Sequence, residues 1–127
     1  MNIPENLLYT QEHEWIAYDS EKNIATIGIT DFAKKELGDI VFVDIETVDE
    51  ELSKDDVFGS VEAVKTVSDL FMPMSGTVIQ LNDEIIDQPE LVNNDPYIGG
   101  WMIKVTPNDP NFIEGLLNSE AYKNMIS

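Results

Sequence analysis

Residues 61–78 read VEAVKTVSDLFMPMSGTV, two alternating runs with a lysine at their join. Lys65 is the only cationic side chain between Lys54 and Lys104, in a chain rich in carboxylates. An isolated amine on a strand-to-strand turn can be a solvated tip residue or an acylation site. The rest of the chain offers little other chemistry. Cysteine is absent, which excludes disulfides and thiol catalysis. The sole histidine, His13, cannot build a metal site alone. The acidic runs Asp49-Glu50-Glu51 and Asp55-Asp56 lack the alternating spacing that a hard cation requires. A hydrolase would have to pair His13 with Ser60 or Ser68, and neither serine sits in a nucleophile elbow. A protein so equipped can still take part in chemistry if it carries a borrowed group, and a tip amine is a good acceptor.

The elements that position this lysine follow from period and punctuation. TQEHEWIAYD and NIATIGIT alternate as two strands joined through 19–23, with Trp15 and Tyr18 on opposite faces. In TDFAKKELGD, Thr30 or Asp31 caps a two-turn helix, Lys34 and Lys35 sit in its last turn, and Gly38 suits the left-handed end. DIVFVDIETV predicts a strand with Ile40, Phe42, Asp44 and Glu46 on one face and Val41, Val43 and Ile45 on the other. An acidic loop over 49–56 leads into the lysine hairpin, whose turn falls at Val64-Lys65. GTVIQLND and GGWMIKVT predict two more strands, separated by a short helix after Pro89 that ends before Pro96. Beyond Asn108 the period becomes helical: Asp109 and Pro110 open one helix with a stripe of Phe112, Ile113, Leu116 and Leu117. Ser119 caps a second carrying Tyr122 and Ile126. ATIGITD and TVIQLND echo each other weakly, which suits two similar half-sheets packed face to face.

The length of 127 residues predicts one domain, with a β core over 7–106 and C-terminal helices over 109–126. All seven basic residues are lysines; against 25 acidic residues the formal charge is −18. That surface repels nucleic acid and anionic membranes, favours basic protein partners, and favours a monomer. The N-terminus lacks the features of a signal or transit peptide, and no run reaches membrane-span length. The expectation is a soluble protein that starts at its own methionine and works in a bacterial cytoplasm, or in the mitochondrial matrix for a processed eukaryotic chain.

The segment VEAVKTVSDLFMPMSGTV resembles the attachment segment of the glycine cleavage system H protein family, whose pattern is V-E-S-V-K-A-x-S-D with a later P-x-S-G. YTQEHEW, ATIGITDFA, LGDIVFVDI, PELVNNDPY and GWMIK resemble the family's other blocks in order and spacing, from Leu7 to Lys104. The resemblance implies a mostly β, lipoyl-domain-like sandwich of two small antiparallel sheets (a barrel-sandwich hybrid) with short helices and a helical C-terminal appendix. It implies that Lys65 carries lipoate through an amide, and that Glu62 and Gly76 are recognised by the lipoate-attaching enzyme. It also implies that Glu14 and Asp69 line the cleft where the loaded arm docks. The bland readings are an exposed strand acid for Glu14, a cross-strand polar residue for Asp69 and a turn glycine for Gly76. His13 and Trp15 are read as packing residues.

The function so implied is non-catalytic. The carrier takes the aminomethyl group from a pyridoxal-phosphate glycine decarboxylase to a tetrahydrofolate-dependent aminomethyltransferase, then reducing equivalents to dihydrolipoyl dehydrogenase. Three positions depart from the pattern: Ile98 follows Tyr97 where glycine or an acid is usual, Glu36 stands where some relatives have histidine, and Thr66 replaces alanine. A biotin carrier is the nearest rival, because VEAVK resembles E-A-M-K-M, but Val64 and Thr66 flank Lys65 in place of methionines. A lipoyl relay to other complexes and an unmodified acidic adaptor are the remaining alternatives.

Overall fold

The computed structural model describes residues 1–127. Nine strands form two antiparallel sheets, neither closed on itself. The larger contains β1 (Leu8–Tyr9), β2 (Glu14–Asp19), β3 (Ile24–Ile29), β5 (Glu51–Leu52), β8 (Gly76–Leu81) and β9 (Ile103–Pro107), in the order β1-β2-β3-β9-β8-β5. The smaller contains β4 (Ile40–Asp44), β6 (Val57–Ala63) and β7 (Val67–Phe71), in the order β4-β6-β7. The mostly β, two-sheet fold expected above is therefore the fold observed, with six strands facing three rather than two equal halves. Their inner faces bury Ile16, Ile27, Val43, Phe58, Val61, Met72, Val78 and Val105 in one apolar core. A second cluster of Leu7, Tyr9, Trp15 and Tyr122 lies on the other side of the large sheet, under the C-terminal helix.

Strand β3 leads directly into Thr30, whose hydroxyl accepts from Ala33 N at 3.2 Å and caps α1 (Asp31–Leu37). Asp31 in the first turn and Lys34 and Lys35 in the last oppose the helix dipole. Gly38 closes the helix at φ 82°, donating its N–H to Lys34 O at 2.8 Å. The echo noted in the sequence has a local counterpart. Strand β8 likewise leads into a cap, Asn82, which opens α2 (Asp83–Asp87); α3 (Glu90–Asn94) follows after Pro89.

Four expectations are corrected. Strand β4 does not alternate evenly: a bulge between Ile40 and Phe42 adds a residue. Ile40 is therefore buried on the same side as Val43 and Ile45, while Val41 and Phe42 are 49% and 52% exposed. The acidic loop contains β5, two residues paired with Thr77 and Gly76. The C-terminal stripe is not an α-helical face. Pro110–Gly115 is a 3₁₀ turn, Leu116 is extended, and Leu117 forms an isolated bridge to Tyr9. The cap of α4 (Ser119–Ile126) is Asn118, whose side chain accepts from Ala121 N at 2.8 Å, and Ser119 is the first helical residue.

Candidate functional site

The lysine turn is held at two points. Ala63 N donates to Thr66 O at 2.7 Å across the hairpin, and Val64 N donates to Asp39 O at 3.0 Å in the corner between α1 and β4. That corner is itself clamped. Asn93 on α3 donates to Gly38 O at 2.8 Å, accepts from Ile40 N at 2.8 Å, and its carbonyl accepts from Lys34 Nζ at 2.5 Å. The stem of Lys65 lies over Gly38: a Cβ placed on that glycine would sit 3.3 Å from Lys65 Cε. Lys65 is exposed. The only ion pair in the structure joins Lys34 to Asp31, so the amine of Lys65 has no carboxylate partner.

Glu62 is exposed two residues before the turn at Val64-Lys65, between Phe42 of β4 and Val67 of β7 in register. Asp69 is exposed opposite Ser60, in a shallow groove of about 230 Å³ that it shares with Asp44 and Glu46. Gly76 is not a turn glycine, since only Gly38 among the glycines has a positive φ. It begins β8, buried between Leu52 and Pro107, where a Cβ would come within 2.5 Å of Thr106 O. Backbone approach is what demands glycine there.

Glu14 is not the exposed strand acid of the bland reading. It is 3% exposed, at the base of a cleft of about 430 Å³ walled by Tyr9, Thr10, Phe71, Pro73 and Leu116. Its carboxyl accepts from Phe71 N at 3.0 Å and from Thr10 Oγ1 at 3.3 Å. Burial pushes its pKa up to about 8; the two hydrogen bonds pull down, and nearby Glu12 and Asp55 push further up. At neutral pH it is mainly the neutral acid. Asp69 does not line this cleft. The two carboxyls are related through β7, which runs from the lysine turn, past Asp69, to the Phe71 amide that holds Glu14.

His13 meets no serine. Its Nδ1 lies 2.9 Å from Tyr122 Oη, and its ring lies on Phe32 at 4.5 Å. Trp15 packs over Gly28 and donates Nε1–H to Pro96 O at 2.9 Å. Both are packing residues, as expected. Ile98 is 77% exposed in the loop after α3, and Glu36 is exposed on α1. Nothing in the structure explains Ile98. Thr10, Gly38 and Asn93 were not singled out by sequence as supports of the site. Only Gly38 carried a signal, as a helix stop.

A small β sandwich that exposes one amine at a hairpin tip and sinks one carboxyl in a cleft has the frame of a carrier domain. The profile of the family described as Glycine cleavage H-protein matches residues 7–127. The glycine cleavage system H protein of Bacteroides thetaiotaomicron is 52% identical over 127 residues, covering 100% of this chain and 99% of that one. That of Halalkalibacterium halodurans is 51% identical over 126 residues, covering 99% and 97%. The crystal structure of a glycine cleavage system H protein from Mycobacterium marinum has a TM-score of 0.89 at 36% identity, covering 98% of each chain. The chain belongs to the glycine cleavage H-protein family, the carrier component of that system.

Proposed function

We propose that this chain is a lipoylated shuttle, with lipoate attached as an amide to Lys65 Nζ. The observation that carries the reading is the state of that amine: exposed on a turn fixed at both flanks, and without an ion-pair partner among 25 acidic residues. Acylation removes its charge and leaves no buried carboxylate unpaired. When bound, lipoate supplies a disulfide able to accept an aminomethyl group with two electrons, chemistry the chain itself lacks. The partners are a pyridoxal-phosphate glycine decarboxylase, a tetrahydrofolate-dependent aminomethyltransferase, dihydrolipoyl dehydrogenase and a lipoate-attaching enzyme that reads Glu62; Gly76, buried in β8, serves that recognition through the close strand approach it permits rather than by contact. We place it in the bacterial cytoplasm, in keeping with its bacterial relatives; no helix is long and apolar enough to cross a membrane.

Within this reading Glu14 is the receptor for a cationic amine. A protonated amine entering the cleft favours the ionised carboxyl, so docking releases the proton that burial had kept on Glu14. The Phe71 amide and the Thr10 hydroxyl hold its oxygens in place. Asp69, outside the cleft, lies on β7, the strand that links turn and receptor. The test is acylation of the unmodified chain by a lipoate ligase supplied with lipoate and ATP. The expected product carries one lipoyl group on the peptide containing Lys65, and Lys65→Arg carries none.

A further inference from the structure

The outer face of the three-stranded sheet has apolar side chains around the lysine turn that folding does not use. Register places Phe42 opposite Glu62 and Glu62 opposite Val67, so one row reads aromatic, acid, aliphatic. Phe42 is 52% exposed, Val67 61% and Val64, within the turn, 77%. The bulge in β4 adds Val41 at 49%; an even strand would turn either Val41 or Phe42 inward. The next row on the same face, Asp44, Ser60 and Asp69, is polar. Glu62 has no cation partner within the chain. All four apolar side chains leave about half or more of their surface in water in the free chain. On a surface of net charge −18, an apolar cluster of this kind marks a contact.

We propose that this collar is the docking surface for the enzyme that acylates Lys65. The matching mouth offers apolar side chains to Phe42, Val64 and Val67, with one basic side chain between them to meet Glu62. The inference rests on reading Lys65 as the modified residue. An enzyme that delivers an activated carboxyl to Nζ has to cover the turn, and the collar is the surface around it. The neutral amine attacks the acyl carbon of an acyl adenylate, the C–N bond forms as the C–O bond to AMP breaks, and the amine's surplus proton passes to solvent. Carrier partners that act at the far end of an acylated arm have no such need to cover Nζ.

Steady-state acylation of the unmodified chain by a lipoate ligase with lipoate and ATP tests the collar. Phe42→Ser and Val67→Thr each raise KM for the chain about tenfold while kcat stays within about twofold, the pattern of lost docking. Phe42→Leu and Val67→Ile, which keep an apolar side chain at each position, raise KM less than the polar variants do. Ile79→Thr, an exposed apolar site on the other sheet, is unchanged. Glu62→Gln raises KM and flattens its salt dependence, whereas Phe42→Ser leaves the salt slope intact. Should Phe42→Ser fail the thermal-unfolding check, Val67→Thr decides alone. Unchanged KM in both collar variants, or an equal rise in Ile79→Thr, overturns the collar and leaves the Lys65 reading standing. A wild-type chain that is not acylated at all overturns that reading and the collar with it.

Discussion

Glu14 and Lys65 are opposite answers to where a charge can be kept. Lys65 stays in water with its charge unopposed, available for the acylation proposed above. Glu14 is buried and keeps its proton up to about pH 8. The linkage has a definite sign. Its folded pKa lies above the value of 4.5 for an unburied glutamate, so the native state binds the extra proton between the two. Stability from this site is present at low pH and is lost as pH rises from about 4.5 to about 8. At roughly 1.4 kcal/mol per unit, the loss amounts to a few kcal/mol. Glu14→Gln keeps the shape without the charge, so it should unfold at a higher temperature than wild type at pH 8 and nearly the same temperature at pH 4.5. Equal melting curves across that range would mean Glu14 ionises freely. In the loaded carrier, where the docked amine holds Glu14 ionised, Glu14→Ala should speed non-enzymatic loss of the aminomethyl group. Mass spectrometry of the decaying adduct measures it, and identical decay rates would remove Glu14 from the receptor role.

At the scale of elements, the turn is only as well placed as the α1–β4 corner beneath it. Gly38 sits at φ 82° and ψ −155°, a conformation that a side chain adopts at a cost of about 1–3 kcal/mol. Gly38→Ala should lower unfolding free energy by about that much in denaturant titration; an unchanged midpoint would show the corner can relax. Loss of the Thr30 cap through Thr30→Val should cost about 1 kcal/mol, since Ala33 N loses its acceptor and Tyr122 Oη, 2.8 Å from the Thr30 hydroxyl, loses one of two partners. These elements were legible because each announces itself locally: a polar cap, a period of two, a helix-stopping glycine. What escaped was set at longer range. Strands β1 and β5 are two residues each and exist only because β2 and β8 offer them an edge. The bulge at Val41 has no glycine to mark it and follows from pairing β4 with β6. Glu14 looked exposed because burial came from chain far away, around Phe71 and Leu116. Helix α2 was missed despite a readable signal, Asn82 followed by Asp83 and Glu84.

Over the whole molecule, the proposed shuttle role gives the net charge of −18 a use in approach rather than in holding. A shuttle has to meet several enzymes and leave each of them. Attraction that acts at long range and weakens with salt raises encounter rates without fixing a long-lived complex. Raising ionic strength from low to about 0.5 M, where screening shortens to a few ångströms, should raise the apparent KM for this chain with at least one partner enzyme. A flat salt profile with every partner would deny the charge that role. The most direct measurement is peptide mass spectrometry across Lys65 after incubation with lipoate ligase, lipoate and ATP, coupled to reconstituted glycine turnover. The account predicts one lipoyl group on that lysine, and neither modification nor turnover with Lys65→Arg; a lipoyl group elsewhere, or glycine turnover undiminished by the substitution, would contradict it.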